Sequence, residues 1–168
     1  MATATTETRT PVEIITEVFT EVMNRRDADA LLEYWAEDIV EEMPTGTLRG
    51  RAAVRDYFAG VFAALPDFKI ETEHIFGEGE QVFVQWTITG TFSGEKWMGI
   101  EPTGTAIEIN GMDCFTMRDG VAIHNAVRFD TADFARQLGM LPAQQSTADR
   151  GMTAAFNVWT KLKRRVRR

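Results

Sequence analysis

A chain of 168 residues, 44% hydrophobic and 26% charged, has the size and composition of one folded domain with a sizeable core, which excludes disordered and fibrous classes. Its formal net charge of −7 is uneven: the last eight residues, KLKRRVRR, hold six of the 18 Lys and Arg, leaving 12 bases against 25 acids in residues 1–160. An acidic body repels nucleic acid, and no apolar run is long enough to cross a bilayer.

The opening MATATTETRT is polar and lacks the apolar segment of a secretory signal. Residues 1–9 read as a flexible arm. Cys114 is the single cysteine and His74 and His124 the two histidines, so neither a disulfide framework nor a zinc cluster is expected. A cytoplasmic setting without metal is the resulting expectation.

Thr10-Pro11-Val12-Glu13 reads as a capping box with proline at the first helical position. Val12, Ile15, Phe19, Val22 and Met23 then recur at helical spacing. Asp27 is placed to cap a short second helix carrying Leu31, Leu32, Tyr34 and Trp35. Ile39 to Met43 predicts a short strand stopped by Pro44 and Gly46, and Arg51 to Leu65 a third helix with Val54, Phe58, Val61, Phe62 and Leu65 on one face.

Beyond Pro66-Asp67 the period becomes strand-like. Phe68–Phe76, Gln81–Thr91, Lys96–Ile100, Thr105–Met117 and Val121–Asp130 are the predicted strands, separated by glycine-containing turns. A short helix, Thr131 to Leu138, ends at Gly139. Pro142 to Gly151 then reads as a linker and Met152 to Arg168 as an amphipathic helix. Helices followed by a run of antiparallel strands define an α+β domain over residues 10–141, a curved sheet wrapped around helices, with 142–168 as an appendage.

The turn Arg118-Asp119-Gly120 decides which side chains share a face. A three-residue loop with Gly120 left-handed pairs Met117 with Val121 and sets Ile109, Gly111, Asp113 and Phe115 on one face with Ile123, Asn125, Val127 and Phe129. A two-residue Asp-Gly loop shifts the register by one and breaks that agreement. On this face Asp113 and Asn125 stand out: a carboxylate among Ile, Phe and Val is either desolvated, with a raised pKa, or held by a partner.

The stretches FTEVMNRRDADALLEYWAED, RGRAAVRDYFAG, GTFSGEKWMGIEPTG and RDGVAIHNAVRFDTADFARQLG together resemble the SnoaL-like polyketide cyclase family over roughly residues 11–141. The resemblance implies a cone-shaped α+β fold with an apolar pocket, shared with ketosteroid isomerase, scytalone dehydratase, limonene epoxide hydrolase and nuclear transport factor two. The acid/base aspartate of these cyclases, three residues before the Asp that opens the final helix (here Asp130), falls on Val127. A cyclase histidine falls on Asp113 and a second on Asn125. The oxyanion-hole aspartic acid of ketosteroid isomerases also falls on Asp113, and their tyrosine on Phe19. Their general base falls at or beside Met43, where Glu41 and Glu42 are the nearby carboxylates. A pocket asparagine of the cyclases falls on Glu41, and Phe92 replaces a family histidine.

Asp113 is therefore the leading acid/base candidate. Glu41 is a secondary carboxyl, sharing strand parity with Ile39 and Met43 unless a one-residue slip turns Glu42 inward; Asn125 is an orienting amide. Two such carboxyls would split their pKa values, with Asp113 partly protonated and an ionised Glu41 pushing it further up. Phe19, Trp35, Met43, Phe58, Phe62, Phe115 and Val127 are the expected pocket lining. His124 and Cys114 have outward parity. The glycine-containing turns match no nucleotide fingerprint, so no cofactor is expected.

The functional expectation is a cofactor-independent cyclase or isomerase acting on a hydrophobic, carbonyl-bearing small molecule of polyketide type. A non-catalytic binding or accessory protein, which Val127 favours, and an epoxide-opening enzyme are the alternatives. A homodimer is expected from family habit. Met152, Phe156, Trp159, Leu162 and Val166 form a stripe opposite Lys161, Arg164, Arg165 and Arg168, the pattern of a helix for a membrane surface, a partner or the acidic body itself.

Overall fold

A computed structural model of the chain describes residues 9–166, with the backbone alone at Val166. The arm expected at residues 1–9 lies, Arg9 excepted, outside the described residues, as does Arg168. The chain divides into two compact units, one ending at Thr131 and one beginning at Ala132. The division falls before the last short helix rather than after residue 141.

In the first unit, α1 (Pro11–Glu17) starts where the capping box placed it. Thr10 Oγ1 accepts from Glu13 N at 3.2 Å, and Glu13 Oε2 accepts from Thr10 N at 2.7 Å. The helix then widens into a π turn, Val18–Val22, and tightens into a 3₁₀ turn, Met23–Arg25, ended by Arg26 at φ 55°. The wider turn keeps Val18, Phe19 and Val22 buried together. Asp27 does act as a cap, accepting from Asp29 N and Ala30 N, but the element it starts is a 3₁₀ helix, Asp29–Glu33. Trp35, expected in that helix, instead opens a strand.

The six strands are β1 (Trp35–Met43), β2 (Gly46–Arg49), β3 (Lys69–Glu78), β4 (Gln81–Thr91), β5 (Ala106–Arg118) and β6 (Val121–Phe129). They form one curved sheet in the order β2-β1-β6-β5-β4-β3. Neighbours are antiparallel except β1 and β6, which run parallel and join the first and last long strands. β2 is an unexpected strand: Pro44 and Gly46 turn the chain back on β1, pairing Met43 with Gly46, instead of ending the sheet. The strand expected at Lys96–Ile100 is only a two-residue hairpin tip, Trp97 paired with Ile100 across Met98 and Gly99, both left-handed. Two consecutive positive φ values make a turn with no length left for a ladder.

α2 (Arg51–Ala64) packs on β1 and β2, and α1 with its π turn on β3 and β4. The core between them includes Ile15, Val54, Phe62, Phe68, Val84 and Phe115. Asn24 clips the end of the first helical stretch to β3, accepting from Ile70 N at 2.9 Å and donating to Ile70 O at 3.0 Å, as a neighbouring strand would. Asn24→Ala removes both bonds and strands two backbone groups, so a loss of about 1–3 kcal/mol is expected in denaturant titration; an unchanged midpoint would assign the clip no energetic role.

The second unit holds α3 (Thr131–Gln137, its first residue closing the first unit) and α4 (Thr147–Val166). α4 begins inside the stretch expected to be linker: Ser146 Oγ accepts from Asp149 N at 3.2 Å and sets the start. Among the described residues no helix is long and apolar enough to cross a membrane.

Candidate active site

β1 alternates strictly at its end: Ile39 and Glu41 are buried, Glu42 is exposed, and Met43 is half-buried. Glu41 is thus the inward carboxyl. Glu42 lies on the outer face with His124, 3.6 Å from it. The parallel pairing sets Glu41 beside Asn125 of β6, and the antiparallel pairing sets Asp113 of β5 beside Val127 and Phe115 beside Asn125. Three polar side chains from three adjacent strands therefore meet inside an apolar interior. Glu41 and Asn125 are 1% exposed and Asp113 is 6% exposed.

The register that brings them together arises by a different route from the expected one. The β5–β6 turn is a two-residue Asp119-Gly120 loop, both residues left-handed, pairing Arg118 with Val121 and Met117 with Ala122. A bulge comes next: Thr116 pairs with His124, leaving Ile123 as the extra residue. Ala122 takes the buried place opposite Met117 expected for Val121, and beyond the bulge Asn125 and Val127 recover the face of Asp113 and Phe115. The short turn and the bulge each displace the register by one in the same direction, so the face is kept while Asp113 pairs with Val127 instead of the expected Asn125.

Asp113 is held from two sides. Trp86 Nε1–H donates to its Oδ1 at 2.9 Å and Asn125 Nδ2–H to its Oδ2 at 3.0 Å. Trp86 is aimed by Gly111, its cross-strand partner, where a side-chain carbon would come within 2.4 Å of the indole ring. Only glycine leaves room for the indole there.

Desolvation raises the Asp113 pKa to about 6, against the lowering effect of its two donors. Desolvation also raises that of Glu41, to about 8, with the neighbouring charge of Asp113 as the second cause. Trp35 and Asn125 favour the charged form of Glu41, but not enough to offset burial. The pair thus splits in the opposite sense from the sequence expectation: near neutral pH Asp113 is the ionised member and Glu41 holds the proton. Three buried atoms close to this pair, Trp35 Nε1, Glu41 Oε2 and Asn125 Oδ1, lack a hydrogen-bonding partner. A protonated Glu41 brings a donor to a place where Asn125 Oδ1 is an unpaired acceptor. Tyr57 borders the site; burial, then the charge of Glu41, raises its pKa.

Of the expected lining, Phe19, Trp35 and Phe115 form one aromatic cluster, with the Phe19 and Trp35 rings each 5.9 Å from Phe115, and Val127 is buried against the same strands. Phe58 and Phe62 join Phe68 in a second cluster on the α2 side. Met43 and Phe58 are half-buried. Trp86, Gly111 and Tyr57 were not among the expected site residues. Indole parity with Val82 and Val84 and the isolated Gly111 within an apolar strand were the available signals for the first two; Tyr57 depends on how α2 docks. Among the described residues, no group of three or more His, Cys, Asp or Glu side chains is arranged to hold a metal ion.

Comparison with known proteins agrees with this architecture. A candidate SnoaL-like polyketide cyclase from Jannaschia sp. CCS1 superposes with a TM-score of 0.70 at 22% identity, over 81% of this chain and 99% of its own. IdmH from Streptomyces antibioticus, a candidate polyketide cyclase, superposes with a TM-score of 0.67 at 26% identity, over 78% and 99%. SalBIII, an epoxide hydrolase/cyclase-like enzyme of pyran ring formation in the polyether salinomycin, gives 0.61 at 28% identity, over 73% and 92%. Residues 15–124, which span β1, β4, β5 and the site carboxyls, match the SnoaL-like domain, and the chain belongs to that family.

Proposed function

We propose that this protein is a cofactor-independent cyclase or isomerase that moves a proton between carbon and oxygen of a hydrophobic, carbonyl-bearing small molecule of polyketide type. The observation that carries the proposal is the buried cluster of Glu41, Asn125 and Asp113 on three adjacent strands, with Asp113 held by Trp86 and Asn125; burial raises the pKa of both carboxyls. Asp113 takes a proton from the carbon next to the substrate carbonyl, and the electron pair of that C–H bond forms the enol double bond. Glu41 gives its proton to the carbonyl oxygen. Returning a proton to a different carbon isomerises the substrate; attack of the enol carbon on a second carbonyl closes a ring. Asn125 and Trp86 hold the base in place, and the apolar surroundings strengthen both interactions. The cyclase names of IdmH and SalBIII, both above 25% identity, support the substrate class.

The test begins with a screen of aromatic polyketides, steroid-like enones and an epoxide for binding and turnover. With a turned-over substrate, kcat/KM should trace a bell with limbs near pH 6 and 8, rising as Asp113 ionises and falling as Glu41 loses its proton. Asp113→Asn should cut turnover by about 10²–10⁴-fold. A variant that turns the substrate over as the parent does would remove Asp113 from the chemistry.

A second reading rests on one residue. Val127, buried directly across from Asp113, occupies the position where the family resemblance places the catalytic aspartate. An accessory protein that binds its ligand without converting it would show tight binding across the screen and no turnover with any compound bound.

A further inference from the structure

We propose that α4 docks the protein onto anionic lipid surfaces, lying in the plane of the bilayer interface with its apolar stripe facing the acyl chains. Charge is segregated between the two units. Residues 1–131 carry 10 Lys and Arg against 23 Asp and Glu, whereas residues 132–168 carry eight against two. The basic excess is thus concentrated on the unit that contains α4.

α4 is 20 residues long, about 30 Å at 1.5 Å per residue. Met152, Phe156, Trp159 and Leu162 recur three to four residues apart on one stripe and are 49%, 62%, 52% and 54% exposed. Such exposure of four large apolar groups on one helix face is unusual without something to cover it. Arg150, Lys161, Arg164 and Arg165 lie on the other side. Lys163 sits over the Trp159 ring at 3.8 Å, which places an ammonium at the stripe's edge, where headgroup phosphates would lie. Aromatic and aliphatic side chains on one side with cations on the other characterise helices that lie in a membrane surface, and α4 is too polar to span one.

Charge alone would equally admit the acidic first unit of a second copy, but the stripe needs an apolar track of its own length. Among the described residues, the large hydrophobic ones that the first unit leaves exposed are Phe76 on β3, Met112 on β5 and Met98 at the hairpin tip. On the sheet Phe76 stacks on Phe83 of β4 with ring centroids 5.1 Å apart and Met112 follows on β5, an apolar patch across three adjacent strands about 10 Å wide, shorter than the roughly 15 Å from Met152 to Leu162. A lipid interface supplies both requirements at once. The acidic unit is repelled by an anionic surface only within about 8 Å at physiological salt.

The test is flotation of the full chain with vesicles of phosphatidylcholine containing phosphatidylglycerol, and with phosphatidylcholine alone. The chain should float with the anionic vesicles at least ~10-fold more than with the neutral ones, and salt should weaken binding. Phe156→Ser with Trp159→Ser, and separately Lys161→Gln with Arg164→Gln and Arg165→Gln, should each reduce flotation by roughly 10-fold or more. Failure to float, equal flotation with neutral vesicles, or flotation indifferent to both sets of substitutions would each overturn the proposal. So would a concentration-dependent dimer, seen without vesicle binding and abolished by Phe156→Ser with Trp159→Ser, because the occupant would then be a second copy. Should a variant fail to fold, the salt dependence of the unaltered chain on anionic vesicles decides in its place, and salt-independent flotation sinks the idea.

Discussion

Glu41→Gln should melt at increasingly higher temperature than the parent as the pH is raised from about 5 to 8. Glu41 has its pKa raised from 4.5 to about 8 by burial and by the charge of Asp113. Between those values the folded protein keeps a proton that the unfolded chain has released. Stability therefore falls as pH rises through the window, and the loss is complete only above the folded value. Glutamine keeps the shape and never ionises, so the variant escapes the loss. The expected gain at pH 8 is ~2–4 kcal/mol, with little difference at pH 5, or about 2–4 °C of melting temperature per kcal/mol for a chain of this size. Asp113→Asn should shorten the window from its upper end, since removing the neighbouring charge lowers the Glu41 pKa. A Glu41→Gln difference that stays constant across pH would mean that Glu41 is not a buried, proton-holding group.

The second large effect concerns a residue with no polar atom on its side chain. Gly111→Ala places a carbon 2.4 Å from the indole of Trp86 and 2.9 Å from Arg128 O. Neither neighbour can give way cheaply, because Trp86 is buried and Arg128 O belongs to the paired strand β6. Overpacking should cost about 1–3 kcal/mol in denaturant titration. As the indole moves it withdraws its N–H from Asp113, so the carboxylate loses a donor and its pKa rises. The acid limb of the activity profile should then move to higher pH. Trp86→Phe provides the control: it deletes the N–H without the clash and should reproduce the shift of the limb. If Gly111→Ala lowers stability but leaves the limb in place, Trp86 is packing against Asp113 without setting its charge.

Much of the architecture is legible in the chain because local chemistry decides it. The capping box at Thr10 and Glu13 contains its own donors and acceptors, and the helix begins there in the structure as the sequence predicts. Strand parity depends only on alternation, so Asp113 is assignable to the interior beside Phe115, and Glu41 beside Ile39 unless the strand slips by one. β4, Gln81–Thr91, matches its predicted bounds, because turn residues flank an uninterrupted alternating run. The family motifs carry the α+β fold, and the superpositions agree with it.

Tertiary structure alone decided the rest. β2 is four residues long and gains its ladder only because β1 is there to pair with it, so no local pattern announces it. The parallel pairing of β1 with β6 joins residues more than eighty positions apart, and that pairing brings Glu41 beside Asn125. The turn at Asp119-Gly120 is one residue shorter than the sequence suggests, and the bulge at Ile123 restores the face that the shorter turn would have lost. Asn125 and Val127 therefore point inward as expected, through a turn other than the expected one. Which carboxyl keeps its proton is beyond the sequence for a related reason. Both are buried, and their order depends on where the donors point: Trp86 and Asn125 both donate to Asp113, while at Glu41 the opposing effects of Trp35 and Asn125 do not offset desolvation and its neighbour's charge. Alternation along the chain turned Asp113 inward and left Glu41 and Glu42 as alternatives; the sheet chose Glu41, and the directions of an indole and an amide, fixed by cross-strand packing, bear on which carboxyl keeps its proton.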